Sequence, residues 1–201
     1  MVCDFFHEDQ QYQENILIKY YLKHGHDIVV IASTFTSVFK YYAGNYCKNS
    51  VGSVYSVNGY MVVREPYTIN IFNRLRKLSN IKKILNEFLP DVIYVHGMPL
   101  NLIDPVAYKK ANSECRVIYD SHADYSNSAT NWISLYFLHK LIYKTIFKIY
   151  DKYIDKFFYI TPDGGVFIEK VYNMDRDRIS LLPLGADMDY IESVKKSDTR
   201  G

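Results

Sequence analysis

The sequence predicts an α/β fold built on a parallel β-sheet with helices on both faces. Three observations predict it. Short, continuously apolar runs such as "HDIVVIAS" and "DVIYVHG" are the kind of strand that a parallel sheet buries on both faces. Longer segments with apolar residues at helical spacing lie between them. Strand, helix and strand then repeat along the chain, which calls for crossover connections and so for parallel pairing.

Each element can be justified in order. "VCDFF" at residues 2–6 is a short first strand. "QYQENILIKYYLKHG" is a helix with Ile16, Leu17, Tyr20 and Tyr21 on one face, stopped by Gly25. "HDIVVIAS" is a buried strand. Residues 34–59 are the least readable part, but "VYSVNGYMVVREP" reads as a hairpin, because Asn58-Gly59 suits a type I′ turn. Residues 69–88 read as a basic amphipathic helix, stopped by Pro90. "DVIYVHG" is the next strand, and a helix near residues 105–112 leads to "CRVIYDSHAD". A long helix over residues 131–154 precedes the strand "KFFYITP". A helix over residues 163–173 precedes the last strand, "RISLLPLG". The result is a Rossmann-like domain over residues 1–187, with residues 188–201 as a tail or the start of a linker.

Composition narrows the function. At 201 residues, 48% hydrophobic and 23% charged, the chain suits one globular domain. The 20 tyrosines suit amphipathic surfaces or a bias of composition. A net charge of +2 does not point to nucleic acid. Cys3, Cys47 and Cys115 are odd in number and form no CxxC pair, so neither a disulfide framework nor a zinc knuckle is expected, and a cytoplasmic setting is. No apolar run is long enough to span a bilayer, so membrane contact would be peripheral, on the inner face. The first loop, "HEDQQYQEN", lacks the glycines of a dinucleotide site, and no phosphate loop or GxSxG elbow occurs. These absences weigh against an oxidoreductase, a nucleoside triphosphatase and a hydrolase.

In such a sheet the ligand crevice lies beyond the carboxyl ends of the strands. Those ends read Phe6-His7-Glu8, Ser33-Thr34, His96-Gly97, Ser121-His122-Ala123-Asp124, Thr161-Pro162 and Gly185-Ala186-Asp187, and ionisable residues collect there.

Taken in order, four segments resemble family 4 glycosyltransferases: "YQENILIKYYLKHGHDIVVIAS", "NEFLPDVIYVHG", "VIYDSHAD" and "YITPDGGVFIEKVYNMDRDRISLLPLGAD". The first loop departs from the family pattern in lacking glycines, and the first strand is short. The resemblance implies the N-terminal, acceptor-side half of a GT-B architecture, in which two Rossmann-like domains face each other across a cleft. It places the nucleotide-sugar donor mainly on a C-terminal domain with two glutamates separated by seven residues. No two Glu residues here have that spacing, so that domain is expected to be absent and the chain catalytically silent. The implied reaction is retaining sugar transfer to a glycan or lipid-linked acceptor, with neither cofactor nor metal; bacterial surface polysaccharide synthesis is a plausible setting. Rival readings are a nucleotide-sugar 2-epimerase of the same architecture and a non-catalytic carbohydrate- or partner-binding module.

The resemblance implies that His122 lies beside the transferred sugar, where its imidazole could donate to a hydroxyl; the plainer alternative is a cap on the turn. His7, Glu8, Tyr12, Gln13 and Glu14 line the first turn and are expected at the acceptor, or serve as helix capping. His96 and Gly97 would face the ligand or make a tight turn. Asp124 would orient His122 or cap the next helix. Gly185 and Asp187 read as an interdomain hinge. Lys140, Lys144, Lys148, Lys152 and Lys156 recur among aromatic residues, as on a helix held at an anionic lipid surface or on one with a solvated lysine edge.

Overall fold

A computed structural model describes residues 1–44 and 51–187. Cys47 and the tail assigned to residues 188–201 lie outside the described residues. The strands are β1 (Val29–Ser33), β2 (Val54–Val57), β3 (Tyr60–Glu65), β4 (Tyr67–Ile71), β5 (Leu75–Leu78), β6 (Val92–His96), β7 (Arg116–Ser121), β8 (Lys156–Tyr159) and β9 (Ile179–Leu181). The α-helices are α1 (Gln13–Lys23), α2 (Val38–Tyr42), α3 (Ile81–Phe88), α4 (Ile103–Ala111), α5 (Lys144–Tyr150) and α6 (Pro162–Phe167).

The N-terminal segment joins the strands into one sheet. Val2 bridges Ile31 of β1 and Val95 of β6, both in parallel. Its neighbours complete the ladder, with Cys3 N donating to Ile31 O, His96 N to Val2 O and Ser33 N to Asp4 O. The expected first strand is therefore real in its hydrogen bonds but shorter than residues 2–6, because the chain bends at Asp4 and Phe5. The sheet order is β2-β3-β1-segment-β6-β7-β8-β9, parallel except for β2. The chain leaves the segment first toward β1 and β3, then toward β6. That reversal leaves a crevice at the carboxyl end of the segment.

Period-two alternation splits the core between the two faces. Val2, Ile31, Val63, Val95, Val117 and Tyr119 pack with residues of α3 to α6 in the larger cluster. Cys3, Val30, Ala32 and Val62 pack with Ile18 of α1 in the smaller one. The β2–β3 hairpin turns on Asn58 and Gly59, both at positive φ, as a type I′ turn requires.

One expectation fails. Residues 69–88 do not form a single helix: β4 and β5 pair as an antiparallel hairpin, and α3 begins only at Ile81. The apolar residues of "YTINI" alternate with polar ones, and in "LRKL" it is the burial that alternates, with Arg76 and Leu78 inside, so period two prevails over the helical reading of the charges. Phe72 and Asn73, at φ 51° and 55°, make the turn, and Asn80 at φ 52° separates β5 from α3. The long helix expected over residues 131–154 is continuous but changes pitch: Ser134–Tyr143 take the wider π winding before α5. The helix expected at residues 163–173 is α6 followed by π winding over Ile168–Tyr172.

Candidate functional site

A cavity of about 360 Å³ opens at the crevice. Its floor follows from strand register. His96 of β6 and Asp120 of β7 are paired across the parallel ladder, so their side chains leave the same face of the sheet. His122 lies two residues beyond Asp120 and returns to that face. Asp120 is fully buried, and its Oδ2 accepts from His96 Nδ1 at 3.0 Å and from His122 Nε2 at 3.1 Å. The two imidazole rings stand edge to face, 4.4 Å apart.

The electrostatics fix the protons. Burial opposes ionisation of Asp120, but the His96 charge and the hydrogen bonds from both imidazoles hold its carboxyl well below the usual range. An ionised carboxylate only accepts, so His96 carries a proton on Nδ1 and His122 on Nε2. Burial disfavours the His96 cation, yet the charge and hydrogen bond of Asp120, followed by the charge of Glu14, raise it to about 9. Glu14 is buried on α1, with Oε2 3.7 Å from His96 Nε2. His122 keeps Nδ1 as its uncommitted nitrogen, and in the Nε2–H tautomer it accepts a hydrogen bond there instead of donating one.

The other wall of the cavity comes from the hairpin. Arg76 of β5 is buried and donates to Asp4 Oδ2 from Nε at 2.9 Å and from Nη2 at 2.5 Å. Its guanidinium lies within 6 Å of the rings of Phe5, Tyr41, Tyr42 and Tyr67. Leu138, His139 and Tyr143 of the long helix close the third side. Burial first, then the charge of Arg74, lowers His139 to about 4, so it lines the cavity as a neutral ring.

The family comparison fits this arrangement. The family described as Glycosyltransferase Family 4 matches residues 16–190, most of the chain. The chain belongs to glycosyltransferase family 4. No curated protein matches it. Membership carries a glycosyltransferase-type function and agrees with the Rossmann-like sheet. Among the described residues, no helix is long and apolar enough to cross a membrane.

Within this glycosyltransferase domain the cavity gathers Tyr12, Glu14, His96, Gly97 and His122. Gly97 turns the chain at φ 79°, and its carbonyl accepts from the Tyr119 hydroxyl at 2.7 Å. Four other expected residues are not among those lining the cavity. His7 Nδ1 accepts from the backbone of Asp9. Glu8 pairs with the fully buried Arg64, which also donates to Phe6 O and Ser33 O, and so braces the first loop. Gln13 begins α1. Asp124 Oδ1 accepts from Ser126 N and Asn127 N, and so caps its own turn; Asp120 orients His122 in its place. Asp187 is buried, and both its oxygens accept from Lys19 Nζ at 2.7 Å, tying the strand-end loop to α1, while Gly185 is exposed.

Sequence reasoning missed Asp4, Arg76, Asp120 and His139. The signal for Asp120 was a lone carboxylate inside an apolar strand, which must find partners when buried. Arg76 was hidden by the helical reading of its segment. His96, Asp120 and His122 offer ligand atoms within 4.8 Å of one another, a set of donors able to hold a divalent cation. Hydrogen bonding already accounts for their grouping.

Proposed function

We propose that this chain is the acceptor-side half of a retaining glycosyltransferase, moving a hexose-type sugar from a nucleotide donor to a hydroxyl of a glycan or lipid-linked acceptor. The observation that supports this most directly is the cavity at the switch point, with His122 on its wall and Nε2 committed to Asp120. In the reaction the bond from the anomeric carbon to the donor phosphate breaks. A bond from that carbon to the acceptor oxygen forms on the same face, and the hydroxyl proton passes to the departing phosphate oxygen. Fixed hydrogen-bond donors stabilise the leaving phosphate, and the family pattern assigns those to a donor domain. This chain's share is to place the sugar. His122 Nδ1 accepts from a sugar hydroxyl, the cationic His96 donates from Nε2, and Gly97 allows close approach. The transfer is metal- and cofactor-independent in this reading.

Saturation-transfer NMR on the chain with a panel of glycan acceptors tests it. Binding is expected, and His122→Ala should weaken it by about tenfold, the scale of one hydrogen bond to a ligand. Equal binding by a folded His122→Ala variant would overturn the assignment. Product formation by the chain alone, given nucleotide sugars and acceptors, would overturn the half-enzyme reading.

A further inference from the structure

Three segments without a single acidic residue, 28–64, 66–86 and 125–150, each send one element to the rim of the cavity, although the chain carries 22 acids. They contribute α2, the β4–β5 turn and the long helix. These are bonded to one another around the opening. The Tyr42 hydroxyl donates to Asn73 O at 3.2 Å, and the Tyr143 hydroxyl to Arg74 O at 3.1 Å. Val38, Tyr42, Arg74, Leu138 and Tyr143 all line the cavity itself.

The outward side of these elements is apolar. Phe72, at the tip of the hairpin turn, is 92% exposed, in a position where Asn or Gly would ordinarily sit. Phe39 on α2 is 73% exposed. Along the helix, His139, Tyr143 and Phe147 face inward, while Trp132, Ile133, Tyr136, Phe137 and Leu141 are exposed. Basic groups stand among them. Lys40, Arg74 and Lys140 are exposed, Arg74 over the ring of Tyr42 and Lys140 over that of Tyr136. An exposed apolar patch of this kind marks an interaction surface. Aromatic and long aliphatic side chains mixed with cations and no anions suit the boundary of a negatively charged bilayer, where rings enter the headgroup region and cations meet phosphates.

We propose that this rim seats on an anionic phospholipid surface, so that the cavity opens toward the bilayer. The proposal extends the acceptor reading by implying an amphiphilic acceptor, but vesicle binding is read without donor or acceptor and so stands or falls by itself. Flotation of the chain with vesicles of phosphatidylcholine mixed with phosphatidylglycerol tests it. The chain should float with the mixed vesicles, remain below with phosphatidylcholine alone, and be released by salt. Phe72→Ser, and separately Trp132→Ser with Phe137→Ser, should lower partitioning by about tenfold with an unchanged Tm. Lys82→Glu, on α3 away from this rim, should leave flotation unaltered. Absence of binding at low salt, equal binding to neutral vesicles, wild-type flotation of the apolar variants, or an equal loss with Lys82→Glu would each overturn it.

Discussion

Asp120 decides which nitrogen of His122 the cavity sees. Because its ionised carboxylate accepts from both imidazoles, replacing it with Asn removes the charge that keeps His96 protonated. Burial, which lowers a histidine, is then opposed chiefly by the charge of Glu14. In Asp120→Asn the His96 midpoint should fall from about 9 toward its ordinary 6.5, with Glu14 still opposing the effect of burial, and the Nε2–H tautomer of His122 should no longer be held exclusively. Imidazole nitrogen shifts followed against pH measure both, and an unchanged His96 midpoint would show that another group sets it. If Asp120 acts only by positioning, Asp120→Asn should lower acceptor binding while leaving the fold intact. At this scale the sequence was partly readable. His96, Gly97 and His122 were visible as polar punctuation at the ends of apolar strands. The carboxylate joining them was not, because its partner sits on another strand and only the register brings them together.

At the scale of the element, α6 shows how closely a helix can approach its sheet. Gly164 and Gly165 are buried against β8, and a Cβ at Gly165 would stand 2.8 Å from the ring of Tyr159 and 2.9 Å from the Arg176 guanidinium. Tyr159 is buried in the main core cluster, so its ring can give way only by disturbing that packing. Gly165→Ala should therefore destabilise the chain by about 1–3 kcal/mol, the usual cost of overpacking, and urea unfolding measures it. A neutral substitution would show that α6 can slide along the sheet. The same scale shows why most elements were legible and one was not. β1, β6, β7 and β8 are short apolar runs bounded by turn residues, so length and composition sufficed. The β4–β5 hairpin was misread because its Lys and Arg residues resemble a helix face. Arg76 is also an exception to the rule that such residues stay outside: it is buried with Asp4 for a partner and rings around it. The turn that divides the segment carries Phe-Asn where Asn-Gly would have announced it.

At the scale of the whole molecule, two histidines of the cavity pull the pH dependence of stability in opposite directions. His139 in the folded chain lies near 4, below its ordinary 6.5. Between those values the unfolded chain binds a proton that the folded one refuses, so stability is complete above 6.5 and declines as pH falls toward 4. His96 lies near 9 when folded. There the folded chain holds the extra proton, so its contribution is complete below 6.5 and is lost as pH rises through 9. The lowered carboxylates of Glu8, Asp120, Asp124 and Asp155 add to the acid loss only near and below their ordinary values of 4.5 and 3.8, leaving the interval above to His139. The buried N-terminal amine, lowered by burial, works against His96 on the alkaline side. The share of each histidine is therefore read as a difference between variants. Urea unfolding across this range should find His139→Gln flattening the acid limb and His96→Gln the alkaline limb, each by on the order of 2 kcal/mol, and His96→Gln should also reduce the loss near and below 3.8 that Asp120 contributes. If His139→Gln left the acid limb as steep as before, the ring would have to be protonated in the folded chain. A second cation beside Arg74 would then make the cavity wall positive where the present geometry makes it neutral.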